Sequence, residues 1–219
     1  MKLVYDGKSK SVYELENGQY LLHFKDDVAR ESERMPPGSS FVLGELKDKG
    51  RNALRISRYF FELLGRNNIP SHYIEADLEN NWMAVKKAKT FGRGLEVICW
   101  FKAYGSFLER YGAYVQEFQP LGGLVEITLK DDERGDPLIN DEALVELGLL
   151  QPDELEEVKA MARRIAGMIR DDLATRGLEL AVIKLEFGRV DNRIVIIDDI
   201  AGEHMRVFRK GAEVLPREL

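Results

Sequence analysis

Length, composition and charge indicate a globular chain and exclude several classes of function. The 219 residues are 44% hydrophobic, which allows one large domain or two joined lobes and excludes global disorder. The net charge of −6, with acidic and basic residues interspersed, predicts no nucleic-acid partner. Cys99 is the only cysteine, so an internal disulfide is excluded and a cytoplasmic location is expected. No apolar run reaches membrane-spanning length, so no membrane partner is expected.

The N-terminal part is predicted to be rich in strands. Predicted strands cover residues 2–5, 11–15, 20–24, 69–74 and 82–85. Asp6-Gly7 and Asn17-Gly18 are the turn signals between the first three. The polar residues 26–50 predict a long loop. Helical spacing over residues 54–64 predicts a helix that ends at Gly65.

The second half of the chain predicts helices followed by a hairpin. Ser106 and Glu109 fit a capping box at the start of a short helix. Asn140 is expected to open another short helix, and residues 153–176 repeat apolar side chains at three- and four-residue steps, as a long helix does. Strands first, then helices with a hairpin, predict an α+β fold with two lobes.

The predicted hairpin near the C-terminus carries two carboxylates. Residues 181–188 and 193–199 have strand character and are joined by a predicted tight turn over residues 190–193. Glu186 and Asp198 are symmetric about Asn192, so closure there would put their Cβ atoms about 5 Å apart on one face. A magnesium ion between them would offset their repulsion, as beside nucleotide phosphates. Solvated carboxylates are the alternative, because a register shift of one residue would separate the two faces.

Several lysines occupy positions suited to phosphate oxygens. Lys8 and Lys10 follow Gly7 at a turn and project to one side of a strand edge, although a charged, exposed hairpin has the same pattern. Lys184 shares a strand face with Glu186, where it is either a structural ion pair or a phosphate ligand. The other cations in apolar strand or loop contexts are Lys86, Lys87 and Lys130.

An ordered series of segments covers nearly the whole chain and resembles a known family. The segments are residues 5–13, 24–27, 69–72, 105–106, 135–140, 184–188 and 198–200. In order and approximate spacing they resemble the SAICAR synthetase family of purine-pathway ligases. The resemblance implies a two-lobed, ATP-grasp-like fold, with a β-rich lobe over the nucleotide (residues 1–90) and a larger α/β lobe (residues 91–219) that holds the metal and the second substrate.

The resemblance also implies a reaction, its cofactors and its partners. ATP would activate a small-molecule carboxylate as an acyl phosphate, and the amine of an amino acid, aspartate in the family, would displace phosphate to form an amide. The implied cofactors are ATP and Mg²⁺, and a homodimer is compatible with the family. Lysines and Mg²⁺ would neutralise charge as the phosphoryl group moves, so positioning and electrostatics would carry catalysis.

Site residues follow from the resemblance by position. The implied ATP ligands are Gly7, Lys8, Ser9, Lys10, Lys86, Lys130 and Lys184. The implied metal ligands are Glu186 and Asp198, which with Lys184 form the catalytic set.

Departures from the family pattern concern the second substrate. Trp100 stands where the family carries an arginine, and Val182 where it carries an aspartate. Glu203 lies in an altered Ser-Pro-Asp segment, whereas Ser106 and Arg206 match substrate-binding positions. Loss of a bidentate guanidinium and gain of an indole predict that these five residues surround an altered carboxylate, less anionic or more aromatic than the purine intermediate.

Other functions are compatible with the same pattern. An authentic SAICAR synthetase with a divergent pocket is the first alternative. A small-molecule kinase is the second, because related two-lobed folds transfer phosphate to hydroxyl groups. The third is a nucleotide-binding module without catalysis.

Overall fold

The protein, studied as a computed structural model, is described over residues 1–31, 40–45 and 48–219. Its strands are β1 (Lys2–Asp6), β2 (Lys10–Glu14), β3 (Tyr20–Phe24), β4 (Asp27–Glu31), β5 (Ser40–Glu45), β6 (Tyr73–Asp77), β7 (Trp82–Val85), β8 (Lys89–Thr90), β9 (Leu95–Lys102), β10 (Pro120–Leu129), β11 (Glu179–Val190), β12 (Arg193–Ile197), β13 (Met205–Arg209) and β14 (Ala212–Val214). Its helices are α1 (Lys49–Arg66), α2 (Ser106–Tyr111), α3 (Asp141–Glu146) and α4 (Pro152–Ala174). No helix within these ranges combines the length and the apolar character needed to span a bilayer.

A five-stranded antiparallel sheet is built from the first part of the chain, in the order β1-β2-β3-β7-β6. Its buried face carries Leu22, Phe24 and Met83, which pack in one core with Leu54 and Phe61 of α1. Burial of each such side chain contributes about 1.5–3 kcal/mol. The strands predicted near residues 2–5, 11–15, 20–24 and 82–85 are confirmed, whereas the strand predicted at 69–74 begins only at Tyr73.

The loop predicted over residues 26–50 is wrong in part. β4 and β5 pair as an antiparallel hairpin, and α1 already begins at Lys49. Residues 41–43 are β-prone, but the polar residues around them made the whole stretch resemble a loop. Residues 32–39 and 46–47 of the predicted loop lie outside the described residues.

Two predicted helix ends are wrong, one is confirmed, and so is the predicted long helix. α1 continues through Gly65, and Asn68 takes the left-handed conformation (φ 57°) after it. α2 follows Gly105 and its N-terminus has no side-chain cap, so Ser106 forms no capping box. Asn140 does cap α3, accepting a hydrogen bond from the Ala143 amide at 2.8 Å. The long helix is confirmed as α4.

A seven-stranded antiparallel sheet carries the rest of the chain, in the order β10-β9-β11-β13-β14, with β8 and β12 also paired to β11. The apolar face of α4, which includes Leu155, Val158, Ile165 and Ile169, is buried in the core against this sheet. The α+β fold is therefore confirmed. We retain the division at residue 90 as a proposal, supported by the five-stranded sheet, whose strands all precede that residue.

A short segment joins the two sheets. The Ile196 amide donates to the Pro70 carbonyl at 3.2 Å, and the His72 amide donates to the Ile196 carbonyl at 3.1 Å. The Lys86 amide in turn donates to the His72 carbonyl at 2.7 Å. These bonds fix the end of β7 beside β12, and with it one wall of the cavity described next.

Candidate active site

A cavity of about 530 Å³ is lined by residues of both sheets. It brings together all of the predicted nucleotide and metal ligands. The predicted residues that line it are Gly7, Lys8, Ser9, Lys10, Lys86, Lys130, Lys184, Glu186, Asp198 and Glu203. Lys8 is half exposed and contacts Asp132 at 3.0 Å. Predicted ligands almost 200 positions apart in the sequence therefore lie in one cavity, as the resemblance to the family implied.

The hairpin of β11 and β12 closes one residue away from the predicted register. Glu186 pairs with Ile197, because the turn consists of Asp191 and Asn192, both at positive φ (50° and 60°). Strict alternation would then put Asp198 on the opposite face from Glu186. Asp198 reaches the cavity nonetheless, because β12 ends before it and its own φ is 61°. The predicted register is wrong, but the two carboxylates do lie in one cavity.

Lys10 is bound by two neighbouring carboxylates. Its Nζ lies 2.6 Å from Asp198 Oδ1 and also contacts Asp199 Oδ1. Burial disfavours the charged form of each group, but their mutual attraction prevails. It raises the pKa of Lys10 and lowers the pKa values of Asp198 and Asp199. His204 Nε2 lies 3.1 Å from Asp199 Oδ1; burial opposes its protonation, yet the charge of Asp199 raises the pKa of His204.

Lys130 reaches Glu186 by passing over a glycine. Its Nζ lies 2.6 Å from Glu186 Oε1. A Cβ at Gly94 (φ 125°) would lie 3.1 Å from the Lys130 Cδ. Because glycine has no side chain, the methylene groups of Lys130 can pack against its backbone. Burial, followed by the charge of Asp198, raises the pKa of Glu186.

Lys184 pairs with Glu96, a residue that the sequence analysis missed. The Lys184 Nζ lies 2.7 Å from Glu96 Oε1, and Thr128 Oγ1 donates to Glu96 Oε2 at 3.2 Å. Glu96 stands in the apolar run Leu95-Glu96-Val97-Ile98 of β9. A carboxylate in a buried strand requires a partner, and that signal could have identified it. We call Lys10, Lys130, Lys184, Glu96, Glu186, Asp198 and Asp199 the charged cluster.

His72 and Lys49 also line the cavity and were missed. His72 Nε2 lies 2.9 Å from the Asp198 backbone carbonyl, and burial lowers the pKa of His72 to about 4. The ring is therefore neutral, with Nε2–H donating to that carbonyl and holding the turn that presents Asp198. Lys49, at the start of α1, contacts Glu203 at 3.2 Å.

The carboxylates of the charged cluster fit a hard divalent cation. Single ligand atoms of Asp198, Asp199 and His204 lie within 4.8 Å of one another. Carboxylate oxygens are the ligands that Mg²⁺ prefers, whereas an imidazole is not, so Asp198 with Glu186 is the better-suited set. Lys10 and Lys130 already contact these oxygens, so a cation bound there would share the two carboxylates with both lysines.

Trp100 and Val182 lie elsewhere, in a second cluster. They are direct cross-strand partners on β9 and β11 and are only 2% and 3% exposed. The Trp100 indole N–H donates to Glu126 Oε2 at 2.9 Å. We call the buried residues Ile98, Trp100, Ala103, Phe107 and Val182 the apolar cluster.

The predicted substrate residues are not gathered in the cavity. Of the five, Glu203 is the one that lines it within the described part of the chain. Arg206 pairs with Val182 in the sheet, and its Nε lies 3.5 Å from Glu213 Oε1. Ser106 begins α2.

Comparison with known proteins identifies the family. The family profile described as SAICAR synthetase matches residues 3–217. The chain belongs to the SAICAR synthetase family. A curated relative from Clostridium tetani, a phosphoribosylaminoimidazole-succinocarboxamide synthase, is 48% identical over 100% of this chain and 97% of its own length. A relative of the same name from Methanoculleus marisnigri is 36% identical over 95% of this chain and 82% of its own length.

Solved structures of SAICAR synthetases agree with this assignment. A SAICAR synthetase (Type-2) in complex with ADP matches with a TM-score of 0.85 and 28% identity, over 95% of this chain and 86% of that one. The SAICAR synthetase (Type-1) from Pyrococcus horikoshii matches with a TM-score of 0.82 and 28% identity, over 93% and 86%. The predicted family, the enzyme class of ATP-dependent carboxylate–amine ligase, and the cofactors ATP and Mg²⁺ are confirmed.

Proposed function

We propose that this member of the SAICAR synthetase family catalyses the reaction after which its relatives are named. The phosphoribosyl aminoimidazole carboxylate would be activated by ATP and coupled to the amine of aspartate. The observation that carries the proposal is the charged cluster, in which Lys10, Lys130 and Lys184 each contact a buried carboxylate in one cavity. The 48% identity to the Clostridium tetani synthase over the whole chain supports the choice of substrate.

The hypothesis of an altered carboxylate loses its main support. Trp100 and Val182 are cross-strand partners, so their two departures from the family pattern amount to one exchange. An apolar pair replaces what the family pattern gives as an arginine and an aspartate, and both new side chains are buried in the apolar cluster. Local packing therefore accounts for both residues, and the authentic reaction is the better proposal.

The roles of the charged cluster follow from its charges. Lys10, Lys130 and Lys184 would neutralise phosphate oxygens, with Gly7 letting the turn approach them closely. Glu186 and Asp198 would hold Mg²⁺, which when bound supplies further neutralisation of the phosphates. Metal and lysines together would compensate the charge that develops as the γ-phosphoryl group passes to the substrate carboxylate.

The second half of the reaction needs no nucleophile from the protein. Once the carboxylate oxygen is bonded to the γ-phosphorus and ADP has left, the acyl phosphate is an activated electrophile. The aspartate amine bonds to the acyl carbon, loses a proton, and phosphate leaves. The protein's contribution is to hold the two substrates together and to exclude water. A homodimer and a cytoplasmic location stay predictions.

Turnover measurements test this function. The purified protein is given Mg²⁺–ATP, the phosphoribosyl aminoimidazole carboxylate and aspartate, and the products are identified by mass spectrometry. We expect ADP, phosphate and the succinocarboxamide, with phosphate release that requires aspartate. A stable phosphorylated product formed without any amine would instead identify a kinase. Absence of turnover with this carboxylate, alongside turnover of an aromatic carboxylate, would restore the altered-substrate hypothesis.

A further inference from the structure

Glu96 is a buried carboxylate to which the proposed reaction assigns no role. It is 5% exposed and belongs to β9, yet it lines the same cavity as Lys184 and Glu186. A buried carboxylate without partners is costly, so a chain that places one here must satisfy it.

Two side chains satisfy Glu96. Each of its oxygens has its own partner, Lys184 Nζ at 2.7 Å and Thr128 Oγ1 at 3.2 Å. The Lys184 and Glu96 side chains are 5% and 7% exposed, so solvent screens this ion pair little. Thr128 fixes the carboxylate, and the carboxylate fixes the ammonium group.

Sheet register explains why the contacts form. Thr128 on β10 and Glu186 on β11 are both direct cross-strand partners of Glu96, so the three form one row across the sheet. Glu96 and Glu186 are like charges in opposed positions, an arrangement that destabilises a sheet unless cations compensate. Lys184 compensates Glu96, and Lys130 compensates Glu186. The row therefore separates two lysines that would otherwise compete for one carboxylate.

We propose that Glu96, held by Thr128, is a positioning residue that fixes the Lys184 ammonium group in the cavity before the nucleotide binds. The inference rests on the proposed function, since Lys184 is taken to contact phosphate. A free lysine side chain has four rotatable bonds and loses that freedom when it binds a ligand. The Glu96 contact removes the freedom during folding instead, which is how preorganisation raises affinity and rate.

Glu96→Gln tests the inference, because the amide keeps the shape and the Thr128 bond but loses the charge. We expect kcat/KM for ATP to fall roughly 10- to 100-fold. Glu154→Gln is the matched control: it weakens the Glu154–Arg189 ion pair, 2.6 Å long and outside the cavity, and is expected to leave the kinetics unchanged. Unchanged kinetics in Glu96→Gln would overturn the inference.

A double-mutant cycle separates positioning from a general effect on folding. The affinity for a non-hydrolysable ATP analogue with Mg²⁺ is measured by calorimetry in Glu96→Gln, Lys184→Ala and the double variant. If Glu96 acts through Lys184, the glutamine change alters affinity less than about twofold once Lys184 is gone. An undiminished effect in the Lys184→Ala background would overturn the inference.

Thr128→Val decides the matter if Glu96→Gln does not fold. It leaves both charges in place and removes one hydrogen bond, so we expect kcat/KM to fall roughly two- to tenfold. Wild-type kinetics in Thr128→Val would then overturn the inference. Failure of the proposed function has a different signature: the wild-type protein would form no succinocarboxamide, while the calorimetric cycle would still report whether Glu96 acts through Lys184.

Discussion

Two regions of one strand pair differ sharply in this protein. At one end of β9 and β11, Trp100 faces Val182 in the apolar cluster; four residues along each strand, Glu96 faces Glu186 in the charged cluster. The two regions are roughly 13 Å apart along the strands. The strands supply the same backbone geometry to both, so the difference comes from their surroundings. α2 covers the apolar end with Phe107, whereas a cavity opens at the charged end, where Lys10 and Lys130 from other elements join Lys184 of β11.

The comparison changes how the departures from the family pattern are interpreted. In the sequence, Trp100 and Val182 are far apart and look like two independent changes. In the sheet they are cross-strand partners, and two side chains that pack well against each other need not alter a cavity at the other end of the strands. Each of the following predictions tests this separation, from the largest expected effect to the smallest.

Trp100→Ala should destabilise the fold more than it affects substrate binding. Removing a buried tryptophan leaves a cavity, so the free energy of unfolding should fall by about 3–5 kcal/mol, measured by urea denaturation. The KM for the carboxylate substrate, measured on the folded fraction, should stay close to that of the wild type. A large rise in that KM at unchanged stability would show that Trp100 contacts the substrate and that the two regions are not separate.

Val182→Asp should cost about 3–5 kcal/mol of unfolding free energy, because it buries a charge beside Arg206, a cross-strand neighbour that is already paired with Glu213. Combining it with Trp100→Arg restores opposite charges at facing positions. The double variant should therefore be destabilised less than the sum of the two single variants, by about 0.5–3 kcal/mol. Strictly additive losses would mean that the two positions do not act as a pair.

Glu186→Gln should lower kcat about 10²- to 10³-fold, an effect typical of removing one electrostatic contact to the transition state. Its unfolding free energy should change little, since the burial that raises the pKa of Glu186 also penalises its charged form. Asp141→Asn is the control: Asp141 contacts Lys159 on α4, in a half-exposed ion pair. A wild-type kcat in Glu186→Gln would remove Glu186 from the catalytic set.

Gly94→Ala should have the smallest effect, about 1–3 kcal/mol of unfolding free energy, because alanine is strained at a φ of 125°. It should also weaken Mg²⁺–ATP binding, because the new methyl group would displace Lys130. Gly65→Ala is the matched control: it lies within α1 with no atom near its would-be Cβ and should stabilise the protein by about 0.5–1 kcal/mol. Unaltered nucleotide affinity in Gly94→Ala would show that the path of Lys130 is not restricted there.

Two kinds of feature could be predicted from the sequence: elements set by a local pattern, and site residues that match the family's segments by position. The apolar periodicity of α4 and the turn signals between the first strands were sufficient to place those elements. The predicted register of the β11–β12 hairpin was wrong by one residue. The alternation of apolar residues does not reveal the positive φ values of Asp191, Asn192 and Asp198. Glu96 was missed because its partners are 32 and 88 positions away, and only the sheet brings them together.

A crystal structure with Mg²⁺, an ATP analogue and the phosphoribosyl aminoimidazole carboxylate tests the separation of the two regions most directly. We predict that the phosphates contact Lys10, Lys130 and Lys184, that the metal lies between Glu186 and Asp198, and that Trp100 stays buried against Val182. A carboxylate substrate stacked on the Trp100 ring, or a metal bound away from the charged cluster, would contradict the account.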